Sequence, residues 1–523
     1  MNSPREIELK LEVPEAALVL LTRTPLLRKS RVRSKRPASL ISVYYDTDTG
    51  KLRKHGFTLR VRRIGKRHVQ TIKRISGAGS AVMDRLEWEQ EIEDGRPTFA
   101  MVRNTSLKSI LSKKLQAKLK PLFETRVRRK VFSIQSGSSE IELSIDRGTV
   151  VAGWRSSPIC EVELELKRGD ATDLFKVAHA FAEQVPVQLS VVSKSERGYS
   201  LITDSKPSAV GAAPIAVSPN ANFQAAFQTI ARACLHQIVA NQDLTRSGNS
   251  EGLHQTRVGL RRLRACISLF GAMLLDPASL TIKGELRWIA GELGPARELD
   301  VLIKGAAKPA TVAGSQRPGV ATLTRDLRRK RSEAFACVRL AMESRRFRLL
   351  VLDLAAWIEA GDWTRIDDDP AGANRGLPVV LAAAAQMNRR RNKIVKRGKK
   401  LDHLDPTSLH RIRIQAKKLR YAAEFFSATF PGKKATRRHK TFIKSLQWLQ
   451  ETLGDLNDIS VHEGIAERLA DVHSTGNKQK RRGSNKAFAA GRLSGHEEAR
   501  IVSVLKDAKR AYEKFAKAKP FWP

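Results

Sequence analysis

The sequence predicts an α+β chain: an N-terminal antiparallel sheet domain followed by an all-α domain. Three observations carry this. Residues 1–202 break into short period-2 segments bounded by Gly, Ser, Asp or Pro. From Asn222 onward the apolar residues recur with helical spacing in an Ala-, Leu-, Arg- and Lys-rich background. Between them, residues 203–221 are rich in Pro, Ala and Ser and show neither period. The expected organisation is therefore a domain at 1–202, a linker at 203–221 and a helical domain at 222–516.

The predicted strands are Glu6–Val13, Phe57–Arg63, His68–Lys73, Arg85–Ile92, Val127–Gln135, Ile141–Asp146 and Glu161–Lys167. Pro14–Leu21, Ser106–Leu119 and Thr172–Gln184 read as helices, and Lys308–Gly319 and Ser474–Ser484 as long loops within the second part. Four scattered cysteines have no metal-ligand spacing, which argues against a disulfide framework and a zinc site. The first residues are charged and lack the apolar stretch of a signal peptide, and no apolar run is long enough to span a bilayer. A cytoplasmic protein with no membrane partner is expected.

Charge narrows the partners. Lys and Arg total 95 against 53 acidic residues, a formal net charge of +42. Residues 1–200 hold 38 basic and 23 acidic side chains, and the remaining 323 hold 57 and 30, so the excess is larger in the second part. Such a field calls for a polyanion. Aromatic residues are only 6%, too few for extensive base stacking, which disfavours nucleic acid as the specific partner.

The sheet segments carry their charges in a pattern. Glu6-x-Glu8-x-Lys10 places two carboxylates and an ammonium on one strand face, with Ile7, Leu9 and Leu11 on the other. Arg60-x-Arg62, Lys73, Arg85-x-Glu87-x-Glu89 and Glu161-x-Glu163-x-Glu165-x-Lys167 repeat the device. One such strand is ordinarily the solvated side of a sheet. When nearly every strand does it with both signs, a barrel with its charged faces inward is the better reading. Carboxylates hold hard cations and basic side chains grip phosphate, which together meet the needs of phosphoryl transfer.

These motifs resemble the CYTH superfamily, the triphosphate tunnel metalloenzymes. After the first motif come Tyr44-Tyr45-Asp46-Thr47, Leu59-Arg60-Val61-Arg62, Thr71-x-Lys73, Arg85-x-Glu87, Arg126 with Arg129, Asp146-Arg147-Gly148, Glu161-x-Glu163-x-Glu165 and Ser193-Lys194-Ser195-Glu196-Arg197-Gly198-Tyr199. The resemblance implies an eight-stranded antiparallel tunnel that hydrolyses a linear triphosphate with Mg²⁺ or Mn²⁺. It implies phosphate binding by Lys10, Arg60, Arg62, Lys73, Arg126, Arg129, Lys194 and Arg197. Metal binding or orientation of water falls to Glu6, Glu8, Asp146, Glu161, Glu163 and Glu165, with Glu6, Glu8, Lys10 and Glu163 as the catalytic set. Glu87 and Glu89 fit equally as partners that hold tunnel arginines extended.

The second part contains a repeat. His254-Gln-Thr-Arg257-Val-Gly-Leu-Arg261-Arg262-Leu-Arg264 returns as His410-Arg-Ile-Arg413-Ile-Gln-Ala-Lys417-Lys418-Leu-Arg420. Downstream, Trp288-x4-Leu293-Gly294 returns as Trp448-x4-Leu453-Gly454. On a helix His254, Arg257, Arg261 and Arg264 fall in a stripe about 80° wide, with Arg262 beside it. A basic stripe is often only a solvated face, the histidines fit equally as packed helix residues, and the two tryptophans read as core anchors. Duplication favours function. The region resembles the CHAD domain, which implies two pseudo-symmetric four-helix bundles binding inorganic polyphosphate through these ten histidines and basic residues. Association with polyphosphate granules follows as an expectation. The leading function is hydrolysis of inorganic triphosphate to pyrophosphate and phosphate with a polyphosphate-binding tail. The alternatives are a non-catalytic polyphosphate scaffold and a tunnel enzyme for thiamine triphosphate, ATP or cyclisation to cAMP.

Overall fold

A computed structural model describes residues 5–28, 33–34, 36–75, 82–99, 110–203, 207–307, 320–365, 374–399, 401–470 and 501–523. Both expected loops, Lys308–Gly319 and Ser474–Ser484, lie outside the described residues.

The strands are β1 (Arg5–Glu12), β2 (Arg33–Ser34), β3 (Ala38–Asp46), β4 (Phe57–Ile64), β5 (Arg67–Arg74), β6 (Val82–Ile92), β7 (Lys120–Ser136), β8 (Ser139–Ala152), β9 (Arg155–Arg168) and β10 (Gln188–Leu189). They form one antiparallel sheet in the order β10-β1-β6-β5-β4-β3-β7-β8-β9, with β2 beside β7. A further pairing brings β9 to β1, placing Glu8 opposite Glu165, Lys10 opposite Glu163 and Glu12 opposite Glu161. The sheet counts ten strands where eight were expected, the two-residue β2 and β10 being illegible as short segments without alternation. β3 is the substantial strand absent from the sequence reading, in which its residues figured only as a motif. The hairpin from β8 to β9 turns through Gly153 and Trp154, and Gly153 takes φ 59°, the left-handed conformation that such two-residue turns need.

The apolar faces of the strands are covered as expected. Leu9 and Leu11 of β1 and Val162 and Leu164 of β9 are fully buried. Helix α1 (Thr172–Gln184), with the bounds the sequence predicts, packs on both strands through an apolar stripe that includes Leu174, Val177, Ala178 and Phe181. Helix α2 (Lys194–Ile202) packs against β7, β8 and β9. The expected helix at Pro14–Leu21 is a 3-10 turn at Glu15–Ala17 followed by a short helix at Leu18–Thr22, because Pro14 sets the chain extended before it. Of Ser106–Leu119, Lys113–Gln116 is helical and residues 106–109 lie outside the described residues.

The second part is helical: α3 (Phe223–Ala240), α4 (Ser250–Leu269), α5 (Pro277–Glu292), α6 (Gly294–Ala307), α7 (Val320–Glu343), α8 (Arg345–Ala360), α9 (Val379–Gly398), α10 (Pro406–Phe425) and α11 (Lys433–Ala470). The two basic motifs sit on α4 and α10. Leu293-Gly294 marks the junction of α5 and α6, whereas Leu453-Gly454 lies inside the continuous α11. Trp288 and Trp448 are half-buried. The core anchors are instead Phe227, Phe270, Phe426 and Trp363, whose rings meet at centroid distances of 5.1 to 6.1 Å.

The described chain divides into two compact units, neither continuous in sequence. One comprises 1–212, 232–259 and 341–362, and the other 213–231, 260–340 and 363–523. In the first, α8 packs on α1, and Gln242 donates to the Leu189 carbonyl of β10 at 3.0 Å. Helices of the second part thus take part in the sheet-bearing unit. The expected linker is anchored too, since Asn241 exchanges two hydrogen bonds with the Val210 backbone, at 2.8 and 2.9 Å. No helix among the described residues is long and apolar enough to cross a membrane.

Candidate active site

Period-2 alternation carries charged side chains from six of the strands into one cavity of about 320 Å³. β1 contributes Glu8 and Lys10; β4, Arg60 and Arg62; β5, Lys73; β6, Glu87 and Glu89; β7, Arg129; and β9, Glu163, Glu165 and Lys167. Tyr44 of β3, Thr58, and Ser193, Lys194 and Ser195 at the start of α2 complete the lining.

Aromatic packing stands behind Tyr44 of the lining. Tyr44 stacks on Phe123 at 4.6 Å, and Tyr199 of α2 meets Phe123 edge-on at 5.2 Å. A Cβ at Gly198 would stand 2.1 Å from the Phe123 ring, so only glycine lets α2 approach this closely. Tyr199 donates to Asp46 Oδ2 at 2.8 Å, and Asp46 accepts from the Leu52 and Arg53 amides. Ser193 caps α2 in a reciprocal box with Glu196, which fixes the next residue, Lys194, at the cavity wall.

Lys194 is the hub of the charge network. Its Nζ lies 2.7 Å from Asp146 Oδ2 and 2.9 Å from Glu163 Oε1, and it also contacts Glu161. Lys10 Nζ reaches Glu163 at 3.2 Å and Glu161 at 3.5 Å. Arg129 donates from Nε and Nη2 to the two Asp146 oxygens at 2.7 and 2.6 Å, and from Nη2 to Glu163 at 2.5 Å. Three carboxylates thus meet three cations. Burial disfavours charge, but for Lys10, Arg129, Asp146, Glu163 and Lys194 the mutual attraction wins. Burial opposes the charge of Glu163, yet Lys194, Lys10 and Arg129 hold its carboxyl well below the usual range. Asp146 is lowered in the same way, against its burial, by Lys194 and Arg129. Lys10 and Lys194 are raised, burial notwithstanding, by the carboxylates they face.

Across the cavity the balance reverses. Arg62 donates from Nε to the Ser42 hydroxyl at 3.1 Å. Burial first, then Arg60 and Arg129, push its guanidinium down to about 10. Burial would raise Tyr44, but Arg60, Arg62 and Lys194 pull its phenol below the ordinary value. Arg60 lies 3.8 Å from Glu87, which also binds Lys73 at 2.9 Å, so Glu87 holds two cavity cations in place. Arg62 sits in a cationic field that a bound anion would relieve.

Nine of the expected residues therefore share one cavity: Glu8, Lys10, Arg60, Arg62, Lys73, Arg129, Glu163, Glu165 and Lys194. Asp146 and Glu161 stand behind the wall, fully buried. The Glu6 side chain lies outside the described residues. Two expectations are corrected. Arg126 occupies the opposite face of β7 from Arg129, because an odd separation inverts the side chain; its side chain is 64% exposed and paired with Glu124. Arg197 pairs with Glu12 and does not line the cavity. Tyr44, Thr58, Lys167, Ser193 and Ser195 went unassigned in the sequence. Parity with Glu163 and Glu165 was available for Lys167, and the Ser-x-x-Glu box for Ser193.

The acidic cluster has the character of a hard-cation site. Asp146, Glu161 and Glu163 offer oxygens within 4.8 Å of one another, and Glu161 Oε2 is buried without a hydrogen-bond partner.

The ten residues expected to bind polyphosphate divide by environment. Arg262 is 4% exposed, with its guanidinium 5.4 Å from the Phe425 ring centroid. Arg420 donates to Glu424 at 2.6 Å and to Gln450 at 2.8 Å. Arg413 lies against Gly454, where a Cβ would be 3.5 Å from its guanidinium, so the two repeated motif elements touch. His254, Arg257, His410 and Lys417 engage other groups of the chain. Arg261 is half-buried, Arg264 is exposed and Lys418 is half-buried.

Comparison with known proteins finds two family matches along the chain. Residues 4–199 match the model of the CYTH domain and residues 229–467 that of the CHAD domain. Over 200 residues the chain is 31% identical to an inorganic triphosphatase of Haemophilus influenzae, covering 38% of this chain and 55% of that protein. The chain thus spans little more than half the length of that curated relative. Among solved structures, it is similar to the CHAD domain from the plant Ricinus communis, with 27% identity, a TM-score of 0.49, and coverage of 58% of this chain and 96% of that one. It is also similar to PptA from Streptomyces chartreusis, with 19% identity, a TM-score of 0.40, and coverage of 56% and 100%. The chain carries a CYTH domain followed by a CHAD domain.

Proposed function

We propose that the strand-lined cavity is a tunnel that hydrolyses inorganic triphosphate to pyrophosphate and phosphate, and that the helical region binds inorganic polyphosphate. The observation that carries the first part is Arg62, a half-buried cation crowded by Arg60 and Arg129 and hydrogen-bonded to a hydroxyl. A linear triphosphate supplies the missing negative charge. Lys10, Arg129 and Lys194 are held by carboxylates on one side, and Arg60, Arg62 and Lys73 line the other. Cations fixed before substrate arrives stabilise developing phosphate charge without reorganising.

Mg²⁺ or Mn²⁺ fits the all-oxygen donor set, with Glu6, Glu8, Glu163 and Glu165 as its holders beside the buried Asp146 and Glu161. When bound, the ion supplies neutralisation of phosphate oxygens. Glu8 and Glu165, which face one another across β1 and β9, are assigned the orientation of the attacking water, a role their pairing supports. Asp146 and Glu161 keep Lys194 aimed at the cavity. The relative named an inorganic triphosphatase supports the choice of the inorganic substrate.

Phosphate release from triphosphate, pyrophosphate, ATP, thiamine triphosphate and long polyphosphate tests the reading. Triphosphate should be turned over fastest, with activity lost in EDTA and restored by Mg²⁺ or Mn²⁺. Faster turnover of ATP or thiamine triphosphate would move the assignment to an organic triphosphate. Triphosphate binding with no turnover under any metal would leave a capture scaffold.

A further inference from the structure

The Tyr44-Tyr45 pair of β3 splits across the strand by parity. Tyr45 packs with the buried cluster around Leu59 and Ile72 and gives its hydroxyl to the Gly95 carbonyl at 3.2 Å. Tyr44 lines the cavity and is 5% exposed. Ser42, two residues earlier, shares its face. The register of β3 on β4 sets Ser42 opposite Arg62 and Tyr44 opposite Arg60, so each hydroxyl of β3 meets an arginine of β4. Ser42 Oγ accepts from Arg62 Nε at 3.1 Å, and the Tyr44 phenol is hydrogen-bonded by Arg60. A hydroxyl holds a guanidinium in place without neutralising it, unlike the carboxylates around Lys194.

The bond from Arg60 decides what the phenol has left to give. A guanidinium can only donate, so this bond takes a lone pair of the phenol oxygen and not its proton. The ammonium of Lys194 is likewise a donor only. The ring is held in direction: it stacks on Phe123 at 4.6 Å within a buried cluster that includes Leu40, Val127 and Tyr199. The groups that act on the phenol are Arg60 and Arg62 of β4 and Lys194 of α2, with the Tyr199 phenol nearby. Burial would raise the Tyr44 phenol, but the three cations hold it below its ordinary value. An O–H polarised by cations is a stronger donor, and phosphate oxygens are acceptors.

We propose that Tyr44 is a substrate-contacting residue, its hydroxyl donating a hydrogen bond to a phosphate oxygen of the bound triphosphate beside Arg60. This rests on the reading that the cavity takes inorganic triphosphate, and it adds a neutral donor to a site built from charges. Such a donor meets developing negative charge without adding to the crowding of cations around Arg62.

The test compares full-length wild type with Y44F, which deletes the hydroxyl and keeps the ring on Phe123. Turnover of inorganic triphosphate with Mg²⁺ is measured beside calorimetric binding of triphosphate in EDTA. Y44F should lower kcat/KM about ten- to a hundredfold, the range for a hydrogen bond to a charged group. Kd should rise about tenfold, with the melting temperature within about 2 °C of wild type. A hydroxyl that only oriented Arg60 would be silent once that arginine is gone. In the R60Q background Y44F should still raise Kd at least about threefold, and no further loss there would overturn direct contact. If Y44F melts early, ultraviolet titration of the wild-type phenols carries the test. Tyr44 is lowered from its ordinary value, whereas Tyr45, Tyr199 and Tyr512 are raised by burial. The first phenol to ionise should move to higher pH with triphosphate bound, because an accepting phosphate oxygen favours the protonated form. No movement would overturn the proposal. Wild-type affinity and turnover in folded Y44F would do so too, leaving the triphosphate reading intact. Failure of wild type both to bind and to hydrolyse triphosphate would overturn both.

Discussion

The two sides of the strand-lined cavity hold their cations by different means. Lys10, Arg129 and Lys194 share Asp146, Glu161 and Glu163, and each cation has a buried carboxylate within 3.5 Å. Arg62 meets the hydroxyl of Ser42, and Arg60 that of Tyr44. Paired charges in a dry site are held in one geometry, which catalysis needs because misplacement of a positioned group costs rate. A neutral acceptor fixes a cation and leaves its attraction for an outside anion, which substrate capture needs. Both devices coexist in the cavity: a braced wall, and in Arg62 a cation set chiefly among other cations.

The largest expected effect comes from breaking the braced wall. Glu163→Gln removes the carboxylate that Lys10, Arg129 and Lys194 share, leaving three cations, two of them buried, on two acids. A loss of roughly 3–5 kcal/mol in stability is expected, as for one partner removed from a buried pair. Turnover should fall on the order of 100- to 1,000-fold or more in the fraction that folds. Urea denaturation and single-turnover kinetics read the two separately; an unchanged midpoint would mean the network contributes nothing to the fold.

Arg62→Ala sharpens the contrast because it should separate those two readouts. It should cost about 2–4 kcal/mol in kcat/KM, as for a lost electrostatic stabiliser. Stability should hold or rise, since a half-buried cation crowded by other cations is removed. A fall in both together would place Arg62 in the braced network.

The third expectation concerns pH. Glu163 and Asp146 have folded pKa values below their unfolded ones, so their contribution is fully present above about pH 4.5, the unfolded range. It is lost as pH falls through the lower folded values. Wild-type melting temperature should drop more steeply below pH 4.5 than that of Glu163→Gln. Parallel curves would show that other carboxylates govern acid unfolding.

Much of the cavity was legible because strands alternate. Glu8 with Lys10, Arg60 with Arg62, and Glu163 with Glu165 share a face by parity, whatever the sheet's overall shape. The same rule separates Arg126 from Arg129, yet the motif reading grouped them, since it followed order along the chain and not facing. Arg197 failed for a different reason. Its register on α2 is clear, but its partner Glu12 lies 185 residues away, and pairing at that distance leaves no local trace.

The amino-acid sequence by itself determined the α+β class, the alternating charge of the strands, the helix at Thr172–Gln184 and the duplication of the basic helix. Each is a local property, set by side-chain period, by turn residues or by repetition. Tertiary structure alone decided that Lys194 meets three carboxylates, that 232–259 and 341–362 join the sheet-bearing unit, and that Ser42 and Tyr44 meet Arg62 and Arg60. Which side of a charged residue finds an acid, a cation or open water depends on chain segments far apart in sequence, and only packing brings those together.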